Sequence, residues 1–569
     1  MLLTGKKRFS SNHSRPDKLP GRNEKHRWCR LILPITGLFA LIWFLIRVIP
    51  KPSRATYPCQ RVAFPLASGF VIWLAGLAGS IAAVRKAKRC FAQSRYIVCI
   101  MLAIAAVGSI WLAQSLTTEE VLLAADLTAN APIGVAKGVQ PGRVVWVHDP
   151  DATDWDGPGN GYWWEPAHTN QAAVERMMTR AIQALAGEKE TPAAWDSLFK
   201  HFNKTRGKGD VGYKQGEKIV IKVNFVGCIK VWSRRPVKDV KDYNLRSVDY
   251  MHTSPQMIIA LLSQLTDHIG VKQADITIGD TLCYFPNEFY DMCHDKFPNV
   301  RYLEYLGKFG RTAAKPSSVP LYWSTPDAAD KQADYAPVSY VQADYLINLA
   351  NLKSHNDQAG ITLCAKNHYG SLVRRPTELE GYYDMHKDLP FRTPGMGHYR
   401  PLVDLMGHKN IGGKTLLCLI DGLYAGKHAK ERSPRKWNTA PFNGDWTSSL
   451  FASQDPVAID SVGFDLLWNE WDDAPHRLGT NDYLIEAALA NNPPSASFYD
   501  PDHKGNVARL ASLGVYEHWN NPADKQYSRN LGTGKGIELI KLTGPSPKTS
   551  AKELDKAPAL VAAGEPAVQ

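Results

Sequence analysis

Between residues 140 and 470, short apolar runs alternate with segments whose apolar residues recur at helical spacing. Short apolar runs bounded by polar residues or glycine are typical of buried strands, and a period of 3.6 is typical of amphipathic helices. The pattern predicts strands at residues 142–148, 218–225, 274–279, 345–350 and 415–420, and helices at residues 170–186, 255–269 and from residue 456 onward. This alternation favours an α/β domain with a mostly parallel sheet and helices on both faces.

Three uncharged apolar stretches precede this region, at residues 31–46, 62–84 and 96–113. About 20 apolar residues are needed to cross a bilayer as a helix, so the second stretch is long enough and the other two are short. The pattern predicts three transmembrane helices within residues 31–114. For the first stretch the alternative is a cleaved signal peptide, but no small-residue cleavage site follows it and a long polar segment precedes it.

Lysine and arginine residues near these stretches predict the orientation of the chain. Residues 1–30 carry nine of them, residues 47–61 carry four and residues 85–95 carry five. Because cytoplasmic loops are enriched in Lys and Arg, residues 1–30 are expected to form a basic cytoplasmic tail. We therefore expect a bacterial inner (cytoplasmic) membrane protein, in contact with the lipid bilayer, whose large domain is periplasmic or otherwise extracytoplasmic.

Charge is unevenly distributed along the chain. Residues 1–117 carry 18 of the 67 Lys and Arg residues and 2 of the 55 Asp and Glu residues, which leaves 49 and 53 in the remainder. A mildly acidic domain argues against nucleic acid as a partner. Composition further predicts a connector at 115–140, the α/β domain at 141–543 and a disordered tail at 544–569.

Polar side chains stand at the ends of four predicted strands. They are Asn224, Asp280, the group Asn351, Lys353 and His355, and Asp421. Ligands of open α/β sheets bind beyond the carboxyl ends of the parallel strands, so these residues are expected to line one cleft. The alternative is that strand ends simply meet water, and that Asp421-Gly422 is an ordinary turn.

Lys222 lies inside an apolar run, two positions before Asn224, so both side chains share one face of the strand. Central strands of such sheets are usually apolar on both faces. A buried lysine there must be paired with a carboxylate or must point into a polar pocket. The alternative is a lysine near the strand end whose ammonium group reaches solvent.

Residues 351–376 hold the densest set of candidate residues. They include Lys353, His355, Lys366, Asn367, His368, Gly370, Arg374 and Arg375. Fixed cations, amide donors and a group that titrates near neutrality suggest a small anionic ligand, such as a carboxylate or a phosphate. Gly370 would let the backbone approach that ligand closely. The alternative is a solvated basic loop.

Three segments resemble the family called domain of unknown function 362 (DUF362). They are the strand with Lys222 and Asn224, the run Lys353-Ser354-His355 with Lys366-Asn367-His368-Tyr369-Gly370, and Asp421-Gly422 with residues 453–460. The resemblance covers most of residues 142–470 and implies a site without a particular reaction. Many members carry a ferredoxin-like cluster domain, but this chain has no C-x-x-C among its nine cysteines, so no iron–sulfur cluster is expected.

These observations predict a membrane-anchored enzyme that acts on a small anionic substrate. The assigned residues are His355, Lys353 and Lys366 as catalytic, Lys222, Asn224, Asn367, Gly370 and Arg374 as ligand-binding, and Asp280, Asp421 and Asp455 as orienting the cations or binding a metal. The lysines would hold or polarise the anion, and His355 would be the general acid or base. The alternative is a non-catalytic, membrane-tethered protein that binds a ligand, metal or cofactor. A divalent metal is one option for a cofactor, and Cys283 and Cys293 could form a disulfide or remain free.

Overall fold

The computed structural model describes residues 128–544 except 226–236, 246–250, 356–359, 375–380, 430, 432 and 506–508, together with scattered positions between 38 and 101. The chain divides into two compact units, residues 1–127 and residues 128–569. In the first unit almost all of the described positions are helical. The second unit contains the sheet and the candidate site.

No helix formed by the described residues is both long enough and apolar enough to cross a membrane. Such a helix would need about 20 consecutive apolar residues. Most of residues 31–46, 62–84 and 96–113 lies outside the described residues. The finding contradicts the prediction of three transmembrane helices, and with it the inner-membrane localisation and the periplasmic placement of the large domain.

In the described part of the second unit, 14 strands alternate with helices. The strands are β1 (Ile133–Gly134), β2 (Arg143–His148), β3 (Ile219–Lys222), β4 (Ile276–Gly279), β5 (Arg301–Glu304), β6 (Thr312–Ala313), β7 (Pro316–Leu321), β8 (Asp334–Pro337), β9 (Tyr345–His355), β10 (Gly360–Thr362), β11 (Thr415–Gly426), β12 (Ser449–Ser453), β13 (Val515–Tyr516) and β14 (Glu538–Thr543). The α-helices are α1 (Gln171–Ala186), α2 (Thr191–Thr205), α3 (Pro255–Ser263), α4 (Asn287–Lys296), α5 (Val338–Gln342), α6 (Cys364–Asn367), α7 (Pro401–Gly407), α8 (Pro456–Glu470) and α9 (Asp482–Ala488).

Ten of these strands form one mixed sheet, in the order β14-β2-β12-β11-β9-β3-β4-β5-β6, with β10 paired to β9. The sheet is mixed, because β12 runs antiparallel to both β11 and β2 and β10 runs antiparallel to β9, so the parallel order expected from the sequence is interrupted at these two strands. The remaining pairings in this sheet are parallel. The chain returns from β11 to β12 through residues 427–448, whose described positions form no helix, whereas neighbouring parallel strands need a long crossover connection.

The elements predicted from the hydrophobic pattern are present, with changed ends. Helix α1 begins after the N-cap Asn170 and ends at Gly187, whose φ of 79° is left-handed. Helix α3 begins at Pro255 after the N-cap Ser254 and continues as one π-helical turn, Gln264–His268. Strands β9 and β11 extend beyond residues 350 and 420, where they were expected to end. As a result Lys353, His355 and Asp421 lie within strands and not beyond them.

Both faces of the central sheet are covered. Every residue of β3, β4 and β12 is buried, and helices α1 and α8 both pack against β2 and β12. A sheet covered on both faces provides a dry, low-dielectric surrounding for any polar side chain within it. Cys283 and Cys293 are both buried, and no disulfide bond joins them.

Candidate functional site

The register of three neighbouring strands places Lys222 beside a carboxylate. In the sheet, Lys222 lies opposite Gly279 of β4 on one side and opposite Asn348 of β9 on the other. Asp280 directly follows Gly279 and therefore lies next to Lys222. Gly279 has no room for a side chain, since an added Cβ would lie 1.8 Å from the carbonyl oxygen of Leu303.

Lys222 and Asp280 form a buried ion pair. The Nζ of Lys222 lies 2.7 Å from Oδ2 of Asp280, and the two side chains are 0% and 6% exposed. The ammonium also donates to Oδ1 of Asn367 at 3.0 Å and to the carbonyl oxygen of Val223. Such added hydrogen bonds offset the cost of taking both charges out of water. The prediction that Lys222 pairs with a carboxylate is confirmed.

Two asparagines connect this ion pair to a second lysine. Oδ1 of Asn367 accepts from Lys222 and, at 3.2 Å, from Nδ2 of Asn224. Oδ1 of Asn224 in turn accepts from Nζ of Lys353 at 2.8 Å. Nδ2 of Asn367 donates to Oδ1 of Asn348 at 2.8 Å. These five residues are called the lysine–asparagine network below.

Asn348 is a member of the network that the sequence analysis missed. Its Nδ2 donates to the carbonyl oxygen of Cys364 at 2.8 Å and lies 3.0 Å from Nε2 of His368. The residue stands inside the apolar run of residues 345–350. A polar residue within a buried strand is the same signal that singled out Lys222, so Asn348 could have been found.

Lys353 is completely buried and titrates near neutrality. Its Nζ donates to Oδ1 of Asn224 and to the carbonyl oxygen of Met251 at 2.5 Å. Burial lowers the pKa of Lys353 to about 7, and the charge of Asp421 partly opposes this shift. Burial likewise raises the pKa of Asp421 to about 6, although its carboxylate accepts from the backbone N–H of Ser254 at 2.7 Å. Both groups can therefore exchange protons near pH 7.

Gly370 lies directly against the buried ion pair. A Cβ added there would lie 2.6 Å from Oδ2 of Asp280 and 2.7 Å from Nζ of Lys222. The carbonyl oxygen of Gly370 accepts from the backbone N–H of Thr281 at 3.1 Å. The backbone at Gly370 thus lies close to the side chains of Lys222 and Asp280, whereas the sequence predicted a close approach to a ligand.

Lys366 lies on helix α6, one residue before Asn367, and is half-buried. Its Nζ lies 4.5 Å from the centroid of the Tyr369 ring. Burial, together with the nearby charge of Lys222, lowers the pKa of Lys366 to about 8. Within the described part of the chain, its ammonium group has no hydrogen bond or ion pair. The contact that the structure gives this ammonium group is therefore the one with the Tyr369 ring.

His355 ends strand β9, and its Nδ1 is buried without a hydrogen-bond partner among the residues that the structure describes. Burial lowers the pKa of His355 well below its ordinary value, and the charges of Lys366, His386 and Lys353 lower it further. The ring is therefore neutral at pH 7 and can donate or accept a hydrogen bond without carrying charge.

Arg374 is already fully engaged by a carboxylate. Its Nε and Nη2 donate to the two carboxylate oxygens of Asp334 at 2.6 and 2.7 Å, and Nη2 also donates to the carbonyl oxygen of Tyr383 at 3.0 Å. Such bidentate pairs are strong and fix geometry. Arg374, which the sequence assigns to ligand binding, thus forms a bidentate pair with Asp334 in the structure.

The three carboxylates suggested as metal ligands each have different hydrogen-bond or ion-pair partners. Asp280 pairs with Lys222, and Asp421 accepts backbone N–H groups from Ser254 and Leu423. Asp455 caps helix α8, where it accepts from Val457 and Ala458. Among the described residues, no three His, Cys, Asp or Glu side chains are grouped so that they could hold a metal ion. The structure therefore does not bring Asp280, Asp421 and Asp455 together.

Comparison with known proteins gives one family. The family model described as Domain of unknown function (DUF362) matches residues 239–465, a range that contains Asp280, Lys353, Lys366 and Asn367 and begins after Asn224. No curated protein matches the chain. The matched range covers the elements from α3 to β12 and most of the candidate site. Residues 239–465 of this chain therefore form a DUF362 domain.

Proposed function

We propose that the protein is an enzyme that binds a small anionic substrate, such as a phosphate or a carboxylate, beside Lys366. The observation that carries the proposal is an excess of buried positive charge. Lys222 is neutralised by Asp280 at 2.7 Å. In the described part of the site, Lys353 and Lys366 have no carboxylate within ion-pair distance.

Buried cations without counter-ions are unfavourable, which is why the pKa values of Lys353 and Lys366 fall to about 7 and about 8. A bound anion would stabilise the charged form of both lysines. The site would therefore bind the ionised form of the ligand most tightly. The lysine charges would also stabilise negative charge that develops on the substrate during a reaction.

The two lysines have different environments and hence different proposed roles. Lys366 is half-buried and makes no hydrogen bond or ion pair with the residues that the structure describes, so we assign it the contact with the anion. Lys353 is completely buried and donates hydrogen bonds to Asn224 and to the carbonyl oxygen of Met251, so it does not contact the anion directly. Its proposed role is to gain or lose a proton near pH 7. The remaining members of the lysine–asparagine network hold Lys353 in place through Asn224.

Calorimetric titration of the full-length protein with inorganic phosphate, and in parallel with acetate, tests the proposal. We expect saturable binding of at least one anion, and a decrease in affinity of about tenfold or more in Lys366→Met, because a charge-assisted hydrogen bond is lost. The matched control is Lys189→Met, since Lys189 is exposed at the surface. Equal affinity in Lys366→Met and in the parent protein would overturn the proposal.

A non-catalytic ligand-binding protein is the second candidate. It is favoured by the fact that Lys222, Asn224 and Asn367 already satisfy one another, which leaves few groups free for chemistry. This candidate predicts that the purified protein carries a ligand in stoichiometric amount and releases it unchanged. Native mass spectrometry before and after incubation would show an altered ligand if the protein is an enzyme.

A further inference from the structure

A second histidine lies beside Lys366, on a different segment of the chain. His386 belongs to the 3-10 turn Met385–Asp388. Its ring packs edge-on against Tyr369, with the centroids 5.4 Å apart and the planes at 78°. Nζ of Lys366 lies 4.5 Å from the centroid of the same Tyr369 ring. Tyr369 therefore brings His386 and Lys366 to one place.

Asp384 fixes the orientation of His386. Its Oδ1 accepts from Nδ1 of His386 at 3.0 Å and from the backbone N–H of His386 at 3.2 Å. Because a carboxylate only accepts, the ring proton must reside on Nδ1, which leaves a lone pair on Nε2. Within the described residues, Nε2 of His386 has no hydrogen-bond partner, and the side chain is 17% exposed.

We propose that His386 is the general base of this site and that Asp384 is its positioning residue. The inference rests on the proposed function, since it needs a substrate beside Lys366. In the step, an O–H bond of the substrate breaks, its electron pair stays on the substrate oxygen, and the proton forms a bond to Nε2 of His386. The positive charge gained by the ring is balanced by the Asp384 carboxylate, and the negative charge left on the substrate is balanced by Lys366.

The charged groups around His386 keep it in the form that the step needs. Burial lowers the pKa of His386, and the charges of Lys366 and Arg374 lower it further, whereas Asp384 raises it. The hydrogen bond from His386 lowers the pKa of Asp384 to about 2, with further help from Arg392. At neutral pH the imidazole is thus uncharged and Asp384 is ionised. His355, whose Nδ1 is buried, also faces this group and is less accessible to a substrate.

Nitrogen NMR of histidine-labelled full-length protein tests the orientation of the ring without any ligand. We expect Nε2 of His386 to be unprotonated and Nδ1 to be protonated at pH 7. In Asp384→Asn we expect the pKa of the imidazole to fall, because the carboxylate that favours the charged ring is gone. A ring protonated on Nε2 in the parent protein would overturn the proposal, since that ring could not accept a proton there.

Phosphate titrations across pH 5.5–8.5 provide the second readout. Below the pKa of His386 the charged ring adds a donor to the anion, so we expect tighter binding at low pH. We expect His386→Gln to remove this part of the pH dependence and to weaken binding by about fivefold at the acid end of the range. His268→Gln, at an exposed position, is the control and should match the parent protein.

The outcomes separate this inference from the proposed function. If Lys366→Met weakens phosphate binding while His386→Gln and Asp384→Asn keep the pH profile of the parent protein, the role of His386 is overturned and the anion site remains. If Lys366→Met binds phosphate like the parent protein, the proposed function fails and the inference fails with it.

Discussion

Nζ of Lys222 lies 2.7 Å from Oδ2 of Asp280 in the interior of the sheet, and Gly370 lies against both groups. The pair joins two neighbouring parallel strands, β3 and the end of β4. Through Asn367 and Asn224 it is connected to Lys353, which is completely buried. The ion pair therefore anchors the hydrogen-bonded residues of the candidate site to the central sheet.

Removing one partner of this pair should destabilise the fold strongly. In Lys222→Met the Asp280 carboxylate stays buried without its cation, and such a loss costs about 3–5 kcal/mol. Guanidinium unfolding measures the difference. The control is Lys200→Met, because Lys200 and Asp196 form an exposed pair at 2.6 Å whose removal should change stability little. A free energy of unfolding that is the same in both variants would contradict the account.

A methyl group at Gly370 should disturb the pair without removing it. In Gly370→Ala the new Cβ would lie 2.6 Å from Asp280 and 2.7 Å from Lys222, so one of these groups must move. We expect a loss of stability of about 1–3 kcal/mol, as is typical of overpacking, and weaker anion binding. Thermal unfolding and phosphate titration check this. Unchanged values in both measurements would show that the ion pair is not held as described.

Lys353 should make the stability of the protein depend on pH. Its pKa is about 7 in the folded state and about 10.4 in an unfolded chain, so between these values the unfolded chain binds more protons and stability rises with pH. Between pH 7 and pH 9 this contribution is about 2–3 kcal/mol. We expect Lys353→Met to lack it.

Urea unfolding of the parent protein and Lys353→Met at pH 7 and pH 9 measures the difference directly. The effects of other titrating groups cancel in the comparison between the two proteins. Parallel pH profiles would contradict the lowered pKa of Lys353.

Asp455 offers a test that separates a structural carboxylate from a metal ligand. It accepts from the N–H groups of Val457 and Ala458 and, at 2.8 Å, from that of Lys137. Asp455→Ala leaves these groups without an acceptor, so we expect a loss of about 2–4 kcal/mol in stability and no change in the uptake of magnesium or manganese. The exposed residue Asp210 provides the control variant Asp210→Ala. Loss of bound metal in Asp455→Ala alone would contradict this.

The sequence predicted those features of the site that follow from the cost of burying charge. Lys222 was expected to find a carboxylate because it interrupts an apolar strand, and Asp280 is that carboxylate. The ends of β9 and β11 could not be predicted, because polar residues such as Lys353 and Asp421 end the apolar pattern although the strands continue. These polar residues are tolerated in buried strands because partners from distant segments satisfy them.

Partners that are distant in the sequence account for the other differences. Nothing near Arg374 in the sequence identifies Asp334 as its partner, since the two residues are 40 positions apart. The reversed strand β12 was missed because only Leu450 and Phe451 of its five residues are large and apolar, which is too short a run to predict a buried strand. The apolar stretches before residue 114 were predicted to cross the membrane because they are apolar and uncharged. No helix of the described residues is long and apolar enough for such a crossing.

The central claim is that a small anion binds beside Lys366, and locating a bound anion tests it most directly. Crystals of the full-length protein grown with arsenate, a heavier analogue of phosphate, would show the anion by its anomalous scattering. The account predicts a peak within about 4 Å of Nζ of Lys366, a distance at which opposite charges interact strongly. Arsenate bound only at exposed lysines such as Lys189, with no peak beside Lys366, would contradict it.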